Sequence, residues 1–163
     1  MNFIFLSAEC IPIFAAMHDV VIKIINTSGN NLPEYATSGS AGMDIRASLP
    51  IPVVLQPLER AMIPTGLYFE IPLGYEAQMR PRSGLAMKHG ITCLNSPGTI
   101  DSDYRGELKV ILINLSGQEQ VINNGERIAQ VVISKVEKAL LQPVQQLQES
   151  LRGDGGFGHT GTI

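Results

Sequence analysis

From Val20 onward the apolar residues come in short runs, and each run is cut by proline, glycine or asparagine before it can grow into an amphipathic helix. The first, Val20-Val21-Ile22-Lys23-Ile24-Ile25, is rich in β-branched side chains and stops at Asn26-Thr27-Ser28-Gly29-Asn30. Further runs at residues 53–55, 61–63, 67–71 and 76–79 are separated by prolines and by Pro72-Leu73-Gly74. β-Branched residues lose rotamer freedom in a helix and pack well on a pleated surface, so this pattern predicts strands. Residues 107–115 begin in alternation and become wholly apolar, which predicts a strand running from a half-exposed edge into a two-sided core. Ser116-Gly117 and Asn123-Asn124-Gly125 turn the chain, and residues 128–136 make another strand. The one expected helix is short, with Ser83 near its start, Leu85-Ala86-Met87-Lys88 as its body and Gly90 at its end. Many short antiparallel strands with frequent turns imply an all-β sandwich or jelly roll.

A chain of 163 residues, 44% apolar and 17% charged, suits one domain with a real core. The formal charge of -3 argues against a broad nucleic-acid surface, though a small anion could still be held by local arginines and a metal ion. Cys10 and Cys93 are too few for a disulfide framework and form no zinc-like spacing, which points to a reduced, cytoplasmic protein. Residues 3–17 are hydrophobic, but they contain Glu9 and Pro12, have no basic residue before them, and fall short of the roughly 20 residues needed to span a bilayer. They are expected to be a loosely attached extension, or residue of an upstream start with Met17 as the natural beginning, rather than a signal peptide; no membrane partner is expected.

Several polar groups carry chemistry. The glycine-rich tail Arg152-Gly153-Asp154-Gly155-Gly156-Phe157-Gly158-His159-Thr160-Gly161 cannot hold itself in a core. It combines an arginine fork suited to phosphate, a lone ring suited to a base, and amide and hydroxyl donors. Taken alone it reads equally well as a disordered tail. Asp101 and Asp103, followed by Tyr104, could supply a base for hydrolysis of a phosphoanhydride, although Asp-x-Asp is more often a turn former. Ser83 reads alone as a helix cap, Gln130 as an exposed residue of an edge strand, and Asp44 as part of a small-residue turn.

The order of Ala41-Gly42-Met43-Asp44, Pro81-Arg82-Ser83-Gly84-Leu85-Ala86, Gly98-Thr99-Ile100-Asp101-Ser102-Asp103-Tyr104-Arg105-Gly106, Gly125-Glu126-Arg127-Ile128-Ala129-Gln130 and the tail closely resembles the five motifs of the homotrimeric dUTPases, across about residues 20 to 163. That resemblance selects a jelly-roll-like β-barrel or sandwich with one short helix and a flexible C-terminal arm. It divides the chain into residues 1–18, an extension of unclear role; 19–141, the β domain; and 142–163, the arm carrying a glycine-rich lid.

The resemblance implies hydrolysis of dUTP to dUMP and pyrophosphate by water attack on the α-phosphorus, limiting uracil in DNA and supplying dUMP. Asp101 would hold the water and contact the sugar 3'-hydroxyl, and Tyr104 would pack under the deoxyribose where a 2'-hydroxyl would collide. Asn95, Gly98, Thr99 and Ile100, in the turn of a hairpin, would pair with the polar edge of uracil. Cytosine presents the opposite donor and acceptor pattern there, a mismatch able to discriminate by about 10⁴-fold. Arg82, Ser83 and Gly84 would meet phosphate oxygens, with Gln130 at the α-phosphate and Asp44 orienting water on Mg²⁺. Phe157 would stack on uracil, Arg152 would reach the γ-phosphate, and Gly158, His159, Thr160 and Gly161 would wrap the phosphate chain. His159 and Asp154 stand where many relatives have serine, and Asp154 is expected to point outward. Asp103 is expected to make a supporting ion pair or hydrogen bond, and Arg127 to anchor structure, with phosphate contact as its alternative. The family architecture implies a homotrimer in which one subunit supplies the first, second and fourth motifs, a second the uracil turn and a third its tail. The rivals are a dCTP deaminase of the same fold, for which no extra acid/base carboxylate is evident, and a non-catalytic nucleotide-sensing module.

Overall fold

The computed structural model describes residues 19–156. Eleven strands and one helix follow in chain order: β1 Lys23–Asn26, β2 Met43–Arg46, β3 Val53–Leu55, β4 Arg60–Pro64, β5 Leu67–Glu70, β6 Tyr75–Arg80, α1 Ser83–His89, β7 Ile91–Cys93, β8 Gly98–Ile100, β9 Lys109–Asn114, β10 Gln120–Ile122 and β11 Arg127–Lys135. They pair into a four-stranded sheet β2-β11-β6-β8, a three-stranded sheet β4-β9-β7, and two ribbons, β1-β5 and β10-β3. Every ladder is antiparallel.

One apolar cluster joins these sheets. Ile45, Ala77, Met79, Ala129 and Val131 come from the four-stranded sheet and meet Ile63, Ile91, Val110 and Leu112 from the three-stranded one, with Leu67, Phe69, Leu55 and Ile122 from the ribbons. Burial of each large aliphatic side chain is worth about 1.5–3 kcal/mol, so this shared interior ties the layers into the jelly-roll-type sandwich expected for the family. Its two buried polar residues are satisfied. Asn114 donates through Nδ2 to the carbonyls of Leu55 (2.9 Å) and Gln118 (2.8 Å) and accepts at Oδ1 from the Ser116 amide (2.9 Å) and hydroxyl (2.7 Å). Thr65 donates its hydroxyl to the Leu108 carbonyl at 2.6 Å.

The expected helix forms with Gly90 beyond its last turn at φ 64°, a left-handed conformation that glycine adopts without strain. Ser83 is its first helical residue and not its cap. Arg82 occupies the cap position in extended conformation, and no side chain bonds the free amides of the first turn. Two other expectations change. Asp44 lies inside β2 and not in a turn, because β2 pairs along β11. Strand β9 alternates along its whole length, leaving Ile111 and Ile113 half-buried, because only one face of the three-stranded sheet meets the core. Beyond β11, residues 137–156 form no strand or helix, and Leu140, Leu141, Leu147 and Leu151 stand exposed. No helix among the described residues is long and apolar enough to cross a membrane.

Candidate active site

Most of the expected site residues among those described gather in two clusters. In the first, a cavity of about 240 Å³ is lined by Asn95, Gly98, Thr99, Ile100, Asp101 and Tyr104, with Met62, Met79 and Ile111 forming its apolar wall. Asn95 and Gly98 do not belong to a ladder-paired hairpin. β7 pairs with β9 and β8 pairs with β6, so residues 94–97 form a corner between the two sheets. β8 is consequently an edge strand, and an edge leaves backbone N–H and C=O groups available on its outer side for a flat polar ligand. A Cβ at Gly98 would lie 3.0 Å from Asn95 Nδ2 and 3.4 Å from Met79 Cβ, so even a methyl there would crowd the pocket wall.

Asp101 and Tyr104 are the two ends of one turn, closed by the Tyr104 amide donating to the Asp101 carbonyl at 3.2 Å. Both side chains are exposed, Tyr104 by 46%. Arg105 curls back over this turn, Nη1 donating to the carbonyls of Ser102 (2.7 Å) and Tyr104 (2.9 Å). The Tyr104 hydroxyl donates to the Glu107 carbonyl at 3.0 Å. Arg105 and Glu107 had no role in the sequence-based reading; the only signal was that they directly follow the Asp-Tyr pair. Asp103, for which a supporting bond was expected, is exposed and makes none among the described residues, because the turn is already held by Arg105 and by the backbone.

The second cluster is assembled from distant segments. In the four-stranded sheet Gln130 lies opposite Asp44 on one side and opposite Arg80 on the other, which brings Arg82 close. Asp44 receives two arginines. Arg82 Nε sits 3.0 Å from Oδ1 and Arg127 Nη1 donates to Oδ2 at 3.1 Å. The Arg82 N–H is not aimed at Oδ1, so that oxygen is buried without a hydrogen bond despite the short separation. Arg82 Nη1 donates instead to the Arg127 carbonyl at 2.9 Å. In a regular strand, residues three apart such as Arg127 and Gln130 point to opposite faces. Here the register shifts: Arg127 opposes Arg46 while Ala129 opposes Ile45, so β11 carries one extra residue. That bulge places Arg127 and Gln130 on the same face as Asp44. Ser83 and Gly84 open the helix beside them with uncapped amides, and a Cβ on Gly84 would meet nothing within 4 Å, so the approach is open.

These clusters do not share a pocket. Arg82 and Arg127 line a separate cavity of about 530 Å³ with Arg46, His89 and Glu126, and none of its walls is common to the first. Across the sheet, Asp44 and Asp101 are three strands apart and offset by four residues, roughly 20 Å with ordinary strand spacings. Arg152 lines neither cavity and sits in a local turn where its Nε donates to the Gly155 carbonyl at 2.7 Å. Phe157, Gly158, His159, Thr160 and Gly161 lie outside the described residues.

Comparison with known proteins agrees with this architecture. The dUTPase family model matches residues 29–161. The deoxyuridine 5'-triphosphate nucleotidohydrolase of Cytophaga hutchinsonii is 59% identical over 140 residues, 86% of this chain and 91% of that protein. Among solved structures, the dUTPase of Staphylococcus bacteriophage 80alpha with dUPNHPP superimposes with a TM-score of 0.78 at 28% identity, covering 86% of this chain and 98% of that one. A variant dUTPase from phage phi11 of S. aureus, described with a structural Mg(II) ion, gives a TM-score of 0.71 at 25% identity over 79% of this chain and 99% of its own. A family match along most of the length, with a relative more than half identical over nearly all of its own sequence, establishes that this chain belongs to the dUTPase family.

Proposed function

We propose that this chain hydrolyses dUTP to dUMP and pyrophosphate in a site assembled between subunits. The observation that carries this reading is the separation of a nucleoside-shaped cluster, Asp101 with Tyr104, from an arginine-rich cluster, Asp44 with Arg82 and Arg127, within one chain. At roughly 20 Å the two cannot grip one nucleotide together, whereas a neighbouring copy can bring its own arginine cluster to the cavity. The dUTPase resemblance makes that assembly a homotrimer with three such sites, with a third subunit lending residues 142–163, whose described part exposes Leu147 and Leu151 and whose sequence ends in the glycine-rich lid. Residues 19–141 form the β domain, and residues 1–18 are assigned no role.

Substrate recognition begins at the edge of β8, where the backbone with Asn95 pairs with uracil and Gly98 keeps the wall close. Tyr104 lies under the sugar. Asp101, exposed and free of side-chain partners among the described residues, accepts a proton from a water aligned with the α-phosphorus. As the water oxygen bonds to that phosphorus, the bond to the bridging oxygen breaks and pyrophosphate leaves. From the adjoining subunit, Gln130, Arg82, the Ser83 hydroxyl and the amides of Ser83 and Gly84 hold phosphate oxygens, where an uncapped first turn favours negative charge. Phe157, Gly158, His159, Thr160 and Arg152 close over base and phosphates, excluding bulk water.

The residues fit Mg²⁺ in a limited way. Among the described residues no three His, Cys, Asp or Glu side chains gather into a metal cage, so the cation would draw its ligands from phosphates and water. Asp44 Oδ1, buried and without a hydrogen bond, suits acceptance from such a water. When bound, Mg²⁺ offsets the charge of the triphosphate.

Incubating the purified protein with dUTP, dCTP and dTTP and resolving the products tests the activity. Pyrophosphate from dUTP alone is expected; ammonia from dCTP would establish the deaminase, and no turnover a binding module. Removing residues 152–163 is expected to leave a folded trimer with little activity, and full activity after truncation would return the tail to a disordered appendage.

A further inference from the structure

The turn that carries Asp101 and Tyr104 is followed by a glycine whose backbone needs no glycine: Gly106 has no left-handed φ. What occupies the space of its absent side chain is the tyrosine. A Cβ built on Gly106 would lie 2.3 Å from the Tyr104 hydroxyl oxygen, 2.5 Å from Cζ and 2.9 Å from Cε2. The ring edge is thus seated directly on the Gly106 backbone, and its hydroxyl is anchored on the next carbonyl, that of Glu107, at 3.0 Å.

That carbonyl does not move freely. Glu107 Oε1 accepts from the amides of Thr65 (3.2 Å) and Gly66 (2.9 Å), and its other oxygen lies 3.6 Å from Lys109 Nζ. The Leu108 amide donates to the Leu67 carbonyl at 2.8 Å, while the Leu108 carbonyl accepts the buried Thr65 hydroxyl at 2.6 Å. Glu107 and Leu108 are therefore fixed to the turn between β4 and β5 and to the start of β5, which lie against the core. The tyrosine inherits its position from that rigid backbone through two restraints, a seat at Gly106 and an anchor at Glu107.

We infer that Gly106 is a specificity-determining residue: the absence of a side chain there sets the height at which the Tyr104 ring lies beneath the sugar. This rests on the reading that Tyr104 rejects the ribose 2'-hydroxyl. A methyl at position 106 lifts or swings the ring. Because the displaced atoms are the far end of a half-exposed side chain, the fold absorbs the change while the sugar platform does not.

The test compares kcat/KM for dUTP and UTP in the full-length assembled enzyme carrying Gly106→Ala, Tyr104→Ala, or both. Gly106→Ala is expected to keep its assembly, to hold Tm within about 4 °C, and to lower the dUTP-over-UTP preference at least about tenfold, the scale of one misplaced methyl-sized group. Adding Gly106→Ala to Tyr104→Ala is expected to change the preference by less than about twofold, since the methyl then meets no ring. If Tyr104→Ala alters the preference and Gly106→Ala does not, the inference fails and the tyrosine reading stands. Equal damage from Gly106→Ala in both backgrounds assigns the glycine to the backbone and also overturns it. An unchanged preference in Tyr104→Ala removes the sugar reading and this inference with it. Should Gly106→Ala alone not assemble, recovery of assembly in the double variant supports the seat, and failure there refutes it.

Discussion

The two sides of the proposed site, one for the nucleoside and one for the phosphates, are built in opposite ways. The first is local: Asp101, Tyr104, Arg105, Gly106 and Glu107 are neighbours in sequence, joined by short-range bonds from the Tyr104 amide and hydroxyl and the Arg105 guanidinium to carbonyls within three residues. The second is assembled from three segments, with Asp44 on β2, Arg82 after β6 and Arg127 with Gln130 on β11, held by sheet register and by ion pairs. The difference teaches how each side responds to change. A local turn stapled to rigid backbone can lose a side-chain function without losing its shape. A cluster of two guanidiniums about one carboxylate is coupled, so that removing the carboxylate leaves two like charges facing each other.

The largest expected effect lies on the local side. Asp101→Asn is expected to slow turnover by about 10² to 10⁴-fold while nucleotide binding and assembly persist, the worth of a positioned base; kcat from single-turnover kinetics reads it, and near-normal turnover would remove Asp101 from the chemistry. The separation of the two sides is then tested by mixing. Equal amounts of inactive Asp101→Asn and Arg82→Ala chains, unfolded and reassembled together, should regain about a quarter of parental activity, because a mixed cyclic trimer rebuilds one intact site. No recovery would place both groups in one chain's site. On the phosphate side, Asp44→Asn should cost about 10- to 100-fold in kcat/KM, with a raised Mg²⁺ requirement. Titrating activity against the cation measures it; an unchanged Mg²⁺ dependence would limit Asp44 to pairing the arginines.

The smallest effect probes the rigidity of the corner beneath the nucleoside cavity. Cys93 ends β7 just before that corner, and burial pushes its thiol up to about 11. A thiol held neutral in the fold favours the native state up to its unfolded pKa near 8.5, and that contribution is lost as pH rises toward 11. At pH 8 iodoacetamide should therefore label Cys93 slowly in the native protein and readily after unfolding, in a Cys10→Ser background. Rapid native labelling would mean that the corner opens, and the contrast between a locally stapled side and one held by register and ion pairs would weaken.

Much of this was legible in the sequence because it rests on short-range physics. Strands at residues 53–55, 60–64, 67–70 and 75–80 follow from short apolar or alternating runs punctuated by proline and glycine, and α1 ends at Gly90 for the same local reason. Asp101, Tyr104, Arg82 and Gln130 were recognisable by type and order. Less legible were β2, whose Asp44 looked like part of a turn, and the corner at residues 94–97, which looked like a hairpin. Neither depends on the segment itself: β2 exists because β11 pairs with it, and the corner exists because β7 and β8 find partners in different sheets.

The sequence by itself determined the all-β class, the short helix, the family and the chemical groups, since propensity, turn chemistry and residue type act over a few neighbours. Only the tertiary structure decided which groups face one another. A single extra residue in β11 puts Arg127 on the same face as Gln130, a parity that no periodicity reveals because it depends on the partner strand. The rigid footing of Glu107 and Leu108 beneath the Tyr104 anchor, and the distance between the two clusters, likewise arise from long-range hydrogen bonds and sheet order, which the local sequence constrains only weakly.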